Sequence, residues 1–206
     1  MNEFLSAHPI IPVVVIDRVE DAVPLAEALI AGGLPIMEVT LRTEAAVAGI
    51  EAIVKHVPSA IIGSGTVCNP QQFTISEDIG CQFIVSPGST DALLKVAQAS
   101  SIPFLPGVCS PSELMRGLDY GFEHFKFFPA EAVGGISLLK ALQGPFSRAK
   151  FCATGGIALH NVMDYLALKN VMSVGGSWIT ESNLVREKRW TDIQRLASEA
   201  VSLCGH

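Results

Sequence analysis

From Ile10 onward, short β-branched apolar runs alternate with longer amphipathic stretches. The apolar runs at 10–16, 34–41, 60–67, 82–86, 103–107, 125–128, 151–154 and 171–174 have strand length and are almost unbroken by polar residues. Such continuity predicts strands buried on both faces, as in a parallel sheet covered by helices. Between them, the spacing predicts helices over 20–31, 44–56, 70–79, 91–99, 111–120, 137–143 and 159–168, with a last one over 192–203. Stops and starts agree with this. Gly32-Gly33, Gly80 and Gly121 close helices, and Asn69-Pro70 and Ser110-Pro111 open them. Eight strand–helix units in one chain of this length predict an α/β fold, a (β/α)₈ barrel, occupying residues 1–206 as a single domain. The rival is an open doubly wound sheet. Its dinucleotide fingerprint is missing, since Gly63-Ser64-Gly65 lacks the third glycine. Only the termini and the polar stretch 181–188 read as loosely held.

Composition narrows the class. The chain has 206 residues, 49% hydrophobic and 17% charged, which supports one full-sized core. A formal charge of −6 with no Lys/Arg block argues against nucleic acid as a partner. No apolar run approaches the ~18 residues of a membrane span, and the first nine residues lack the pattern of a signal peptide. Five cysteines, an odd number without a C-x-x-C pair, predict a reduced, cytoplasmic setting rather than a disulfide framework or zinc site. Cys68, Cys109 and Cys152 lie near strand ends, where a nucleophile could sit; a small buried hydrophobe is the plainer reading. The histidines show no metal-binding spacing, so no metal is assigned.

One lysine stands apart. Lys55, Lys95, Lys140, Lys150, Lys169 and Lys188 occupy helical, turn-like or strand-entrance positions, whereas Lys126 has aromatic neighbours inside a strand-length run. Desolvation there favours the neutral amine, which a Schiff-base lysine needs in order to attack a carbonyl. A structural lysine paired with a carboxylate is the alternative. The second run offers such a carboxylate. Alternation places Glu38, Thr40 and Arg42 on one face. Glu38 reads either as a counter-ion or as a general base, and Arg42 either as a bidentate clamp for a substrate carboxylate or as a rim ion pair. Glycine pairs follow the seventh run, at Gly155-Gly156, and the eighth, at Gly175-Gly176. Barrels commonly hold phosphate in these two loops, although a glycine pair can equally be a turn.

Six stretches carry a family resemblance: Glu-Val-Thr-Leu-Arg-Thr at 38–43, Gly-Ser-Gly-Thr-Val at 63–67, Ser-Pro-Gly at 86–88, Phe-Lys-Phe-Phe-Pro-Ala-Glu at 125–131, Thr-Gly-Gly-Ile at 154–157 and Gly-Gly-Ser-Trp at 175–178. Together they resemble the 2-keto-3-deoxy-6-phosphogluconate (KDPG) aldolase/4-hydroxy-2-oxoglutarate (KHG) aldolase family of the Entner–Doudoroff route. The resemblance implies a cofactor-free class I aldolase, usually a homotrimer, acting on pyruvate and phosphorylated 2-keto-3-deoxy sugar acids. By motif position it implies Lys126 as the Schiff-base lysine and Glu38 as the proton acceptor and donor. Arg42 and Thr66 would hold the pyruvyl carboxylate, with Pro87 and Phe128 as pocket walls. Gly155, Gly156, Gly176 and Ser177 match the phosphate site, and Thr154 a position linked to stereochemical choice at C4. Two departures from the family pattern, Ser64 and Ala153, remove no catalytic group. An aldolase for the C4 epimer, the galactonate acid, and a non-catalytic barrel that binds a phosphorylated metabolite are the alternatives.

Overall fold

The structure, a computed structural model, describes residues 7–204; residues 1–6, part of the stretch read for a signal peptide, and the last two residues lie outside it. Nine parallel strands form one sheet among these residues: β1 (Ile10–Val14), β2 (Ile36–Thr40), β3 (Ile61–Gly65), β4 (Phe83–Val85), β5 (Phe104–Leu105), β6 (Gly107–Val108), β7 (His124–Phe127), β8 (Lys150–Thr154) and β9 (Val171–Gly176). Their order is β5-β4-β3-β2-β1-β9-β8-β7-β6. The two ends of that order, β5 and β6, are halves of one strand interrupted at Pro106. Proline has no N–H to give a ladder, and Pro106 contributes only its carbonyl, which accepts from Lys126 N at 2.9 Å. Joining the halves closes an eight-membered ring, the expected (β/α)₈ barrel.

Seven of the connecting helices were expected, with ends shifted by a few residues. N-caps set several starts: Asn69 accepts from Gln72 N at 2.9 Å, Thr90 from Leu93 N at 3.2 Å and Ser110 from Glu113 N at 3.4 Å. The stretch 181–188 departs from its reading as a loose segment. It contains the helix Ser182–Arg186, whose Leu184 and Val185 are buried. Two apolar residues in one turn are too few to show a helical period. The sixth connecting helix, Gly135–Gln143, also begins earlier than expected, after a 3₁₀ turn at Glu131–Val133.

Strand alternation separates outward from inward core residues, the outward ones forming two clusters, the smaller around Phe73, Ile84, Leu93 and Phe104. Outward residues such as Met37, Val39, Phe125, Phe127 and Phe151 pack with Leu25, Leu29, Ile50 and Ile53 of the helices. Inward residues form a separate cluster of Ile11, Ile36, Phe83, Val85, Leu105 and Cys152, a packed interior plug as small barrels require. Above that plug the inward positions turn polar.

Candidate active site

The inward face of β2 carries Ile36, then Glu38, then Thr40; that of β7 carries His124, then Lys126. Barrel curvature brings β2 and β7, which are not neighbours in the sheet, to face each other. Lys126 Nζ donates to Glu38 Oε1 at 2.9 Å, and their side chains are only 3% and 2% exposed. The sequence reading left Lys126 and Glu38 each with a counter-ion or a catalytic role, and the structure makes them partners. A lone buried charge of this kind costs several kcal/mol, so each requires the other. The barrel wall clears space for them. A side chain at Gly65 would meet Glu38 Oε1 at 2.1 Å, so the glycine leaves room for the carboxylate.

The remaining pocket candidates gather around this pair. The Phe128 ring centroid lies 5.2 Å from Lys126 Nζ, close enough for a cation–π contact. Arg42, exposed just beyond β2, donates from Nε to Thr66 Oγ1 at 3.2 Å. Thr66 holds φ at 59°, in the left-handed region that a β-branched residue rarely adopts. Such a conformation costs on the order of 1–3 kcal/mol and collects at functional sites. Gly107, the register partner of Lys126, abuts the backbone of Pro87: an added Cβ would lie 2.2 Å from the Pro87 carbonyl carbon. Ser86 Oγ accepts from Gly107 N at 3.1 Å and fixes that contact. Gly65, read in the sequence only as part of Gly-Ser-Gly-Thr-Val, and Gly107 are thus site-building residues. Their signal, a glycine at an inward strand position, is visible only once the strand faces are paired.

Cys152 is the other register partner of Lys126 and is buried. Burial pushes its thiol pKa up, so it adds no third charge beside the ion pair. Cys81 is likewise buried, its thiol raised to about 11 by desolvation. Cys68 departs from the buried-hydrophobe reading, for it is exposed on the loop after β3. Among the described residues no group of three or more His, Cys, Asp or Glu side chains could hold a metal ion.

Thr154 ends β8 on the inward face, two positions beyond Cys152, and is buried at 6% exposure. Its partner Gly175 has no room for a side chain, since a Cβ would lie 2.4 Å from Thr154 Oγ1. Gly155 and Gly156 follow with φ of 104° and 79°, angles that select glycine. Gly176 ends β9 alongside, and the exposed Ser177 follows it. Packing sharpens one expectation here. A Cβ at Gly176 would fall 1.6 Å from the Trp178 ring, and one at Gly156 would fall 2.6 Å from Glu131 Cγ. Side chains at these positions therefore disrupt protein contacts whether or not they obstruct an anion.

The barrel thus holds a buried lysine–carboxylate pair, an arginine bonded to Thr66 beyond β2, and glycine-rich ends of β8 and β9. The family model of the KDPG and KHG aldolases matches residues 1–196. A KHG/KDPG aldolase of Escherichia coli is 52% identical over 200 residues, which cover 97% of this chain and 94% of that protein. The KDPG aldolase of Legionella pneumophila, solved with pyruvate captured as a covalent carbinolamine, superposes with a TM-score of 0.94 at 49% identity, covering 96% of each chain. The Zymomonas mobilis KDPG aldolase, solved with 3-phosphoglycerate, superposes with a TM-score of 0.89 at 42% identity, over 97% of this chain and 94% of that one. Similarity this close, over the full length of the barrel and its strand-end motifs, shows that the chain belongs to the KDPG and KHG aldolase family.

Proposed function

We propose that this protein is a class I aldolase that cleaves 2-dehydro-3-deoxy-6-phosphogluconate to pyruvate and D-glyceraldehyde 3-phosphate. The observation that carries the reading is the Lys126–Glu38 pair, 2.9 Å apart and buried. Proton transfer from the ammonium to the carboxylate yields a free amine without moving either chain. The amine adds to the C2 ketone, and the proton now on Glu38 passes to the carbinolamine hydroxyl, which leaves as water to give an iminium ion and restore the carboxylate. Glu38, directly or through a water, takes the C4 hydroxyl proton; the C3–C4 bond breaks, and its electron pair flows into the iminium to give an enamine. The aldehyde leaves, Glu38 returns the proton to C3, and hydrolysis of the new iminium frees pyruvate and Lys126.

Arg42 and Thr66 bind the pyruvyl carboxylate in this reading, Pro87 and Phe128 wall the pocket, and Thr154 stands where the C4 configuration is sensed. Gly155, Gly156, Gly176 and Ser177 receive the phosphate. The 3-phosphoglycerate bound by the Zymomonas relative supports a phosphorylated ligand for this chain too. The name of the Escherichia coli relative supports a second substrate, 4-hydroxy-2-oxoglutarate, cleaved to pyruvate and glyoxylate. The 206 residues form one domain, act without a cofactor, assemble as a homotrimer as the family resemblance implies, and work in the cytoplasm, in keeping with five free cysteines.

The test is pyruvate release from the gluconate-derived and galactonate-derived phosphorylated acids, with EDTA present. Turnover of the gluconate acid at the higher kcat/KM supports the proposal. Preference for the galactonate acid would transfer the assignment to the C4 epimer. Binding of both without turnover would leave a phosphometabolite-binding barrel.

A further inference from the structure

Three consecutive carbonyls in the loop after β8 are tied to protein donors. Thr154 O accepts from Ala130 N at 2.8 Å, Gly155 O from Glu131 N at 3.1 Å, and Gly156 O from Asn161 Nδ2 at 3.1 Å. A trans peptide is planar with its N–H opposed to its C=O, so fixing a carbonyl fixes the amide that follows it. The three bonds therefore set the directions of the Gly155, Gly156 and Ile157 N–H groups: the first two point away from the turn at Ala130 and Glu131, and the third points away from the Asn161 side chain. Asn161 is itself held in place, for its Oδ1 accepts from Ala158 N at 2.9 Å.

The turn that supplies two of these donors is held by a contact the catalytic cycle does not use. The Glu131 carboxylate accepts a hydrogen bond from the Tyr165 hydroxyl. Tyr165 is fully buried on the helix Val162–Leu166, whereas Glu131 lies at the surface. The Glu131 side chain passes directly beneath the anion loop, where a Cβ on Gly156 would meet its Cγ at 2.6 Å. Gly135 leaves space for the bond, since a Cβ there would lie 2.8 Å from Tyr165 Oη and 3.1 Å from Glu131 Oε1. Burial, and after it the bond and charge of Glu131, push the Tyr165 phenol pKa up, so the phenol stays protonated as the donor.

We infer that Glu131, Tyr165 and Asn161 are positioning residues that orient the amides of residues 155–157 toward the substrate phosphate, and so set the preference for phosphorylated over unphosphorylated substrates. The inference rests on the phosphate role proposed for Gly155 and Gly156. Tyr165 acts through Glu131, and Asn161 acts on the loop directly. The Glu131–Tyr165 bond also keeps a carboxylate that lies next to the anion site turned toward the phenol.

Steady-state kinetics of Tyr165→Phe and Asn161→Ala, with the phosphorylated six-carbon acid and with 4-hydroxy-2-oxoglutarate, test this. Each substitution is expected to lower kcat/KM for the phosphorylated acid about 10-fold, the usual worth of one well-placed hydrogen bond, chiefly through KM. The loss for 4-hydroxy-2-oxoglutarate is expected to be much smaller. Inhibition by inorganic phosphate should weaken in parallel. Glu131→Gln, whose amide oxygen still accepts from Tyr165, should keep more of the selectivity than Glu131→Ala. Thermal melts check that each variant folds, and Asn161→Ala leaves the Tyr165 packing untouched. Equal losses for both substrates, or unchanged selectivity in folded variants, would overturn the inference alone. A wild-type enzyme that neither prefers the phosphorylated acid nor is inhibited by phosphate would overturn the phosphate role, and the inference with it.

Discussion

Glu38 and Lys126 stand 88 positions apart in the chain and 2.9 Å apart in the barrel. At the scale of residues, each was visible in the sequence as a charge misplaced in an apolar run. Their pairing stood in the sequence only as one open alternative, because choosing it depends on which strands face one another after closure. The roles proposed for Glu38, on β2, and Arg42, just beyond it, are separable. Glu38→Gln is expected to lower kcat by roughly 10²-fold or more, the usual worth of a positioned acid/base, while the Schiff base still forms. Arg42→Ala should instead raise KM for substrates with a pyruvyl carboxylate and leave kcat less affected. Rapid-quench and steady-state measurements on the two variants distinguish these effects; near wild-type turnover in Glu38→Gln would reduce Glu38 to a counter-ion. The left-handed Thr66 could not be read from sequence, since threonine is among the residues least suited to that conformation. Tyr165 was equally hidden. Its hydroxyl acts from a helix, outside the strand alternation that exposed the other candidates.

At the scale of elements, the β-branched runs were legible because each strand is buried on both faces and so is apolar at nearly every position. Their ends were less so. The strand expected over 34–41 is Ile36–Thr40, and that over 10–16 is Ile10–Val14. Trimmed residues such as Ile16 and Leu34 remain apolar because they still join the core; Ile16 is fully buried beyond the end of β1, beside Gly49 of the helix Ala46–His56. The break at Pro106 follows the same logic in reverse. A proline inside an apolar run signalled a strand in composition but could not complete its ladder. The opening of the helix Pro111–Asp119 was fully legible. Ser110 caps it, and Glu113 reaches back to accept from Cys109 N at 2.7 Å and from Ser110 Oγ at 3.0 Å. Burial raises the Glu113 carboxyl pKa, but these bonds outweigh it and hold the group below its ordinary value.

At the scale of the whole molecule, closure of the barrel turns eight separate strand ends into one rim, where the charge pair, the arginine and the glycine loops meet. The barrel was legible from the count of strand–helix units, whereas the assembly of copies was implied only by family resemblance. Sedimentation equilibrium is expected to give the mass of three chains; a single-chain mass at working concentrations would contradict the homotrimer. Among the described residues, no helix is long and apolar enough to cross a membrane. The account stands or falls on covalent chemistry at Lys126. The direct measurement is mass spectrometry of the protein after incubation with pyruvate and sodium borohydride, in EDTA, followed by peptide mapping. The predicted result is one reduced pyruvyl adduct per chain, on the peptide carrying Lys126 and absent from Lys126→Ala. An adduct on another lysine, or none at all in an enzyme that still cleaves its substrate, would contradict the Schiff-base mechanism.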